Sequence, residues 1–135
     1  MDTLTKEKRS WNMSRIRSAD TKPELIVRSF LHSIGFRFRL KNPVLPGNPD
    51  IILPRFKSVI FVHGCFWHRH KGCKYAYDPK TRVEFWQNKF AANVRRDENV
   101  AQKLKTLEWN QLILWECEIK NREIMQKLIK VFFYG

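Results

Sequence analysis

With 135 residues, 43% of them hydrophobic and 13% aromatic, the chain suits one globular domain and excludes a disordered one. Twenty-six Lys and Arg against 13 Asp and Glu give a net charge of +13 and a pI near 10.1, which point to a polyanionic partner, nucleic acid first. The longest charge-free apolar run, Ser58 to Cys65, falls well short of the about 20 residues a membrane helix needs, and MDTLTKEKRSW lacks an apolar signal core, so a cytoplasmic protein without a membrane span is expected.

Residues 1–20 are polar and basic, with Lys6, Lys8, Arg9, Arg15 and Arg17 around isolated Trp11, Met13 and Ile16. An arm of this composition buries little surface alone and is expected to order on its partner, leaving 21–135 as a single folded domain. Asp20 or Thr21 caps a helix whose first turn holds Pro23 and Glu24. Leu25, Ile26, Ser29, Phe30 and Ile34 recur at helical spacing until Gly35. FRFRL (36–40) alternates with period two and predicts a strand with one basic face.

The three prolines and one glycine of 41–50 predict an ordered loop. Short strands over 50–53 and 58–62 follow, joined by a turn at 54–57. The stretch VIFVHGCFWHRHKGC (59–73) then runs from strand into a polar knot, and KYAYDPKTR (74–82) reads as a basic loop. Apolar residues at 85, 86, 90, 94, 100, 104 and 107 predict one long helix or two abutting ones. QLILWEC (111–117) reads as a buried strand, and 121–133 as a last helix buried through Ile124, Met125, Leu128, Ile129 and Phe132. The order α-β-β-β-α-β-α predicts an α/β domain with a mixed sheet and flanking helices.

The knot carries the chemistry. Three cysteines, an odd number in a reducing compartment, favour metal ligation or free thiols over disulfides. Cys65, His70 and Cys73 are spaced to meet one ion from one tight loop, and Cys117 would join them if strand 111–117 pairs beside 58–62. Such a donor set suits a structural zinc. Cysteines packed as small hydrophobes are the alternative, and Cys117 fits it well.

Asp50 sits at a strand start beside the knot, where magnesium-assisted phosphodiester hydrolysis needs a hard carboxylate. His63 and His68 remain to deprotonate a water or hold a phosphate oxygen. Glu24 and Asp97 are further acidic candidates. Each has a plainer role open to it: Asp50 as a turn cap, Asp97 paired with Arg95 or Arg96, Glu24 as a helix first-turn acid.

RSWNMSRIRSADTKPE (9–24), LPGNPDI (45–51), IFVHGCFWHRHKGC (60–73), TRVEFWQNKFAANVRRD (81–97) and LILWECE (112–118) resemble, in order, the blocks of the Vsr endonucleases of very-short-patch repair. The resemblance implies a restriction-endonuclease-like fold, a mixed central β-sheet flanked by helices, with a structural zinc site. It implies magnesium-dependent nicking of DNA 5′ of the thymine in T:G mismatches left by deaminated 5-methylcytosine. Asp50 matches the magnesium ligand, His68 the general base, and His63, Asp97 and Glu24 supporting positions. Cys65, His70, Cys73 and Cys117 match the zinc ligands. Phe66, Trp67 and Trp86 match aromatics that enter the duplex beside the mismatch, and the basic arm a segment that clasps it. Val62 stands where better-known members carry threonine; as a magnesium ligand it would use its backbone carbonyl.

The expected partners are mismatched double-stranded DNA and, by the family's habit, other mismatch-repair proteins; the expected state is a monomer. Another DNase of the same fold, or a zinc-stabilised DNA-binding module without catalysis, are the alternative functions.

Overall fold

The computed structural model describes residues 21–40, 42 and 44–135, so the expected arm over 1–20 lies outside the described residues. Helix α1 (Lys22–Ser33) starts at Thr21 through a capping box: the Thr21 hydroxyl accepts from the Glu24 amide at 3.5 Å and the Glu24 carboxylate from the Thr21 amide at 3.3 Å. Its buried side is Glu24, Val27 and Leu31, with Ile26, Phe30 and Ile34 half-buried. Leu25, expected inside, is 50% exposed. Helical spacing admits several phases, and the one that meets the sheet is a residue away from that expectation.

The FRFRL strand is corrected to a single antiparallel bridge, Arg39 to Ile52, closed by two 2.8 Å backbone bonds. Phe36 and Phe38 nevertheless turn inward and Arg37 and Arg39 outward, as period two requires. Strands β1 (Ile51–Leu53) and β2 (Ser58–His63) form an antiparallel hairpin over the turn Pro54–Phe56, and β2 pairs in parallel with β3 (Asn110–Trp115). The sheet is therefore mixed, in the order β1-β2-β3.

Helix α2 (Val83–Thr106) is one continuous 24-residue helix rather than two. β3 ends at Trp115, so Cys117 lies not on a strand but in the short α3 (Glu116–Ile119), ahead of α4 (Arg122–Tyr134). In α4, Met125 and Ile129 are buried, whereas Ile124, expected in the stripe, is 45% exposed.

Alternation along the strands splits the core in two. Ile51, Leu53, Ile60 and Leu114 face α1, α3 and α4, against Val27, Leu31, Ile119, Met125 and Ile129. Ile52, Val59 and Phe61 face the other way, against Leu104 and Val100 of α2. Each fully buried aliphatic side chain contributes roughly 1.5–3 kcal/mol, so the helices are fixed on both faces and the strand ends are held rigidly. Gly47 lets the 45–50 loop come close to α2: its φ is +81°, and a Cβ there would lie 2.5 Å from the Val100 side chain. No helix among the described residues is long and apolar enough to cross a membrane.

Candidate active site and metal centre

The N-terminal end of β1 and the C-terminal end of β2 lie at the same edge of the hairpin, which brings Asp50 and His63 together. They open on a cleft of about 670 Å³ between the start of α1 and the middle of α2, also lined by Glu24, Trp67, His68 and Asp97. Asp50 is held by its neighbour strand: the Val62 amide donates to Asp50 Oδ2 at 2.6 Å. Burial, partly offset by that bond and reinforced by the nearby Glu24 carboxylate, pushes Asp50 up to about 7. Two carboxyl groups confined together in this way form a hard-oxygen pair whose mutual repulsion a divalent cation relieves.

His63 is buried and stacks on His68, ring centroids 3.8 Å apart and planes 7° from parallel. Burial first, and then the His68 ring, push His63 down to about 4. Its Nδ1 is buried without a hydrogen-bond partner among the described residues. His68 Nδ1 lies 2.7 Å from Asp97 Oδ2, so the carboxylate fixes the ring and holds a proton on Nδ1. That leaves Nε2 as the basic atom. The plainer pairing of Asp97 with Arg95 or Arg96 is not seen among the described ion pairs. Glu24 does both things open to it: it closes the capping box and stands close enough to Asp50 to perturb it.

Ligand atoms of Cys65, His70, Cys73 and Cys117 all lie within 4.8 Å of one another. Cys117 Sγ is 3.4 Å from His70 Nδ1, and the Cys117 amide donates to Cys65 Sγ at 3.4 Å. A tetrahedral zinc with bonds of about 2.0–2.3 Å needs ligand separations of roughly 3.4–3.8 Å, so the cluster suits one. The thiols' surroundings fit a cation as well. Burial and the other two cysteines push Cys117 up to about 12, and burial likewise raises Cys65. Cys73 is raised by burial, but amides of Tyr75 and Ala76 and the neighbouring thiols outweigh this and bring it below its usual value. Three thiolates cannot form side by side without a positive ion. All three cysteines are free of disulfides.

Phe66, Trp67 and Trp86 form one aromatic cluster, with pairwise centroid distances of 5.2–5.7 Å. They do not share one environment. Trp67 is 45% exposed and lines the cleft, while Phe66 is wedged among Tyr77, Trp86 and Phe90 and is partly a packing residue. The pair sits in the turn after β2 rather than on a strand.

Three residues were invisible as functional candidates in the sequence. Trp115 stands between the two centres, stacked on His70 at 4.3 Å and edge-on to His63 at 5.2 Å. Asn93 donates to the Trp67 carbonyl at 3.2 Å, one turn before Asp97 on α2. Arg69, which any count of basic residues assigns to solvent or phosphate, turns inward onto the carbonyls of Ala76 and Tyr77 and onto Asp78, with its guanidinium 4.0 Å from the Phe90 ring centroid. No local pattern distinguishes these from ordinary core or surface residues.

Residues 1–74 match the family described as DNA mismatch endonuclease Vsr. The chain is 46% identical over 120 residues to the type II nicking enzyme V.XorIIP of Xanthomonas oryzae, covering 89% of this chain and 88% of that protein. It is 43% identical over 122 residues to the DNA mismatch endonuclease Vsr of Escherichia coli, covering 90% and 78%. With the type II nicking enzyme V.NmeAIP of Neisseria meningitidis it shares 40% identity over 126 residues, covering 93% and 89%.

Proposed function

Because the chain belongs to the Vsr family of DNA mismatch endonucleases, we propose that it nicks double-stranded DNA 5′ of the thymine in a T:G mismatch, with magnesium, and so initiates very-short-patch repair. It is an endonuclease, and its likeness to nicking enzymes favours cutting one strand over a restriction-type double cut. The observation that carries the reading is the His68–Asp97 pair set beside Asp50 in a cleft rimmed by exposed Trp67.

In this account Asp97 keeps the Nδ1 proton of His68 in place, and His68 Nε2 takes the proton of the attacking water. His63, kept neutral by its burial, donates one ring N–H to a phosphate oxygen. Asp50, the Val62 backbone carbonyl and the nearby Glu24 supply the oxygen donors for magnesium; valine in place of threonine leaves that carbonyl available. Magnesium, when bound, supplies charge neutralisation at the phosphate and acidifies water. Cys65, His70, Cys73 and Cys117 would hold a structural zinc, which would fix the loop between His63 and His70 and thereby the angle of His68.

Trp67, backed by Phe66 and Trp86, enters the duplex at the lesion. Unstacking costs a few kcal/mol and least at a mismatch, so the deformation itself discriminates. Residues 21–135 are read as one restriction-endonuclease-like domain, monomeric and cytoplasmic, with 1–20 as the basic arm that clasps DNA. Contacts with other mismatch-repair proteins belong to the same reading. The mixed three-stranded sheet with its active carboxylate at a strand start supports that fold.

The test is cleavage of otherwise identical duplexes carrying T:G, T:A or C:G at one position, with and without magnesium. Equal cutting of all three, or full activity without the metal, sinks the proposal.

A further inference from the structure

At the other end of the hairpin from Asp50 and His63 lies a groove of about 560 Å³, lined among others by Arg37, Arg39, Arg55, Phe36 and Phe56, and sharing no residue with the cleft. From Asp50 to Pro54 the strand carries it about 13 Å away, at roughly 3.3 Å per residue. All three arginines are exposed, and none has a carboxylate partner among the described residues. Phe36 and Phe56 of that lining belong to a ring cluster that continues through Phe133 to Tyr134. Phe36 packs on Phe56 at 5.1 Å, on Phe133 at 5.1 Å and on Tyr134 at 5.8 Å. Its outer members keep much of their surface in water, Phe56 at 36% and Tyr134 at 64%.

We propose that this groove is a second nucleic-acid site, for a single-stranded DNA segment, with phosphates on Arg37, Arg39 and Arg55 and unpaired bases against Phe56 and Tyr134. Guanidinium forks match phosphate oxygens two at a time, and unpaired guanidiniums carry no competing carboxylate to displace. The rings decide among anions. A base-paired duplex keeps its bases stacked inside and leaves Phe56 and Tyr134 unused, and an acidic peptide engages the arginines alone. A single strand uses both, since every base has a face to stack. The inference stands apart from the chemistry assigned to the cleft.

Fluorescence anisotropy of a labelled oligothymidylate of about eight nucleotides, within the usual range for such sites, tests it on the full chain. Arg37→Gln, Arg39→Gln and Arg55→Gln together are expected to weaken binding at least about tenfold and to flatten the log–log salt slope by about 2, from roughly 0.7 per phosphate contact. Lys103→Gln, Lys105→Gln and Lys127→Gln together remove the same charge from exposed positions elsewhere and are expected to cost less than about threefold. Phe56→Leu and Tyr134→Leu, which keep an apolar side chain, are expected to weaken binding about fivefold or more without changing the slope. Nicking of a T:G duplex by the arginine triple variant is expected to match wild type. Equal losses in the two triple variants overturn the proposal. So does a hexaglutamate peptide that competes as well as the oligonucleotide, or a T:G duplex that loses affinity in step with it.

Discussion

His63 and His68 stack face to face with ring centroids 3.8 Å apart, and only His68 has a carboxylate, Asp97 at 2.7 Å. The pair is therefore asymmetric: burial pushes His63 down to about 4 and holds that ring neutral, while Asp97 orients His68. A neutral His63 can donate a hydrogen bond to phosphate, while an anchored His68 can take a proton and lose it again.

Asp97→Asn tests that asymmetry. The amide keeps the size of the carboxylate but no longer stabilises a protonated His68. Single-turnover nicking is expected to fall about 10²-fold or more, with DNA affinity within about threefold of wild type. A variant as fast as wild type shows that the bond plays no part in proton transfer.

The pH dependence of folding follows from two opposed shifts. Asp50 rises from an ordinary 3.8 to about 7, so between those values the folded chain holds a proton that the unfolded chain has lost, and stability falls as pH rises. His63 drops from 6.5 to about 4, so in that window the unfolded chain holds the extra proton and stability rises with pH. In wild type the two slopes largely cancel. Asp50→Asn is expected to leave stability rising from pH 4 to 6.5, and His63→Gln to leave it falling from pH 4 to 7. Each change is on the order of 1–3 kcal/mol, less than the full 1.4 kcal/mol per unit because Asp50 is partly solvated. Denaturant titrations without added magnesium read it, and parallel slopes in all three proteins contradict it.

Loss of the proposed zinc is expected to act at a distance. Cys65, His70, Cys73 and Cys117 gather ligand atoms from the 65–73 loop and from α3, so an ion on them would tie the two segments together. Cys117→Ser is expected to take bound zinc, measured by elemental analysis, from one per chain to well below one and to lower the melting temperature by at least about 5 °C. Nicking should fall with it, because His68 lies between two ligands in the same loop. A serine variant that keeps a full zinc and normal activity removes Cys117 from the ligand set.

Trp67 and Trp86 should separate. Trp67→Ala removes a half-exposed ring that touches Phe66 and Trp86 and is expected to cost about 1 kcal/mol of stability, yet to reduce the preference for T:G over T:A DNA about tenfold. Trp86→Ala also loses packing against Phe66 and Phe90 and should lower the melting point as well. Equal mismatch preference in wild type and Trp67→Ala assigns the ring to the surface alone.

Local chemistry was the legible part of this fold. Thr21 and Glu24 announced a helix start because a cap and a first-turn acid are read from adjacent residues, and short apolar runs bounded by turn residues marked β1, β2 and β3. The pairing of β2 beside β3 was the condition for Cys117 to serve as a fourth soft ligand; the strands do pair, in parallel, and bring Cys117 to Cys65. What failed was whatever depends on a neighbour. Leu25 and Ile124 fit helical stripes but lie outside the phase that the sheet selects. FRFRL has the alternation of a strand yet forms only one bridge. Trp115 and Arg69 look in sequence like a core ring and a surface charge; their roles exist only because β3 and the 66–78 loop arrive beside the two histidine centres.

Single-turnover nicking of an end-labelled T:G duplex by wild type and by His68→Ala, with binding of each measured in parallel, tests the assigned chemistry outright. One magnesium-dependent cut is expected, on the thymine strand 5′ of the mismatch, slowed by about 10²–10⁴-fold in His68→Ala while affinity stays within about threefold. Undiminished nicking by His68→Ala, or a T:A duplex cut as fast as T:G, contradicts it.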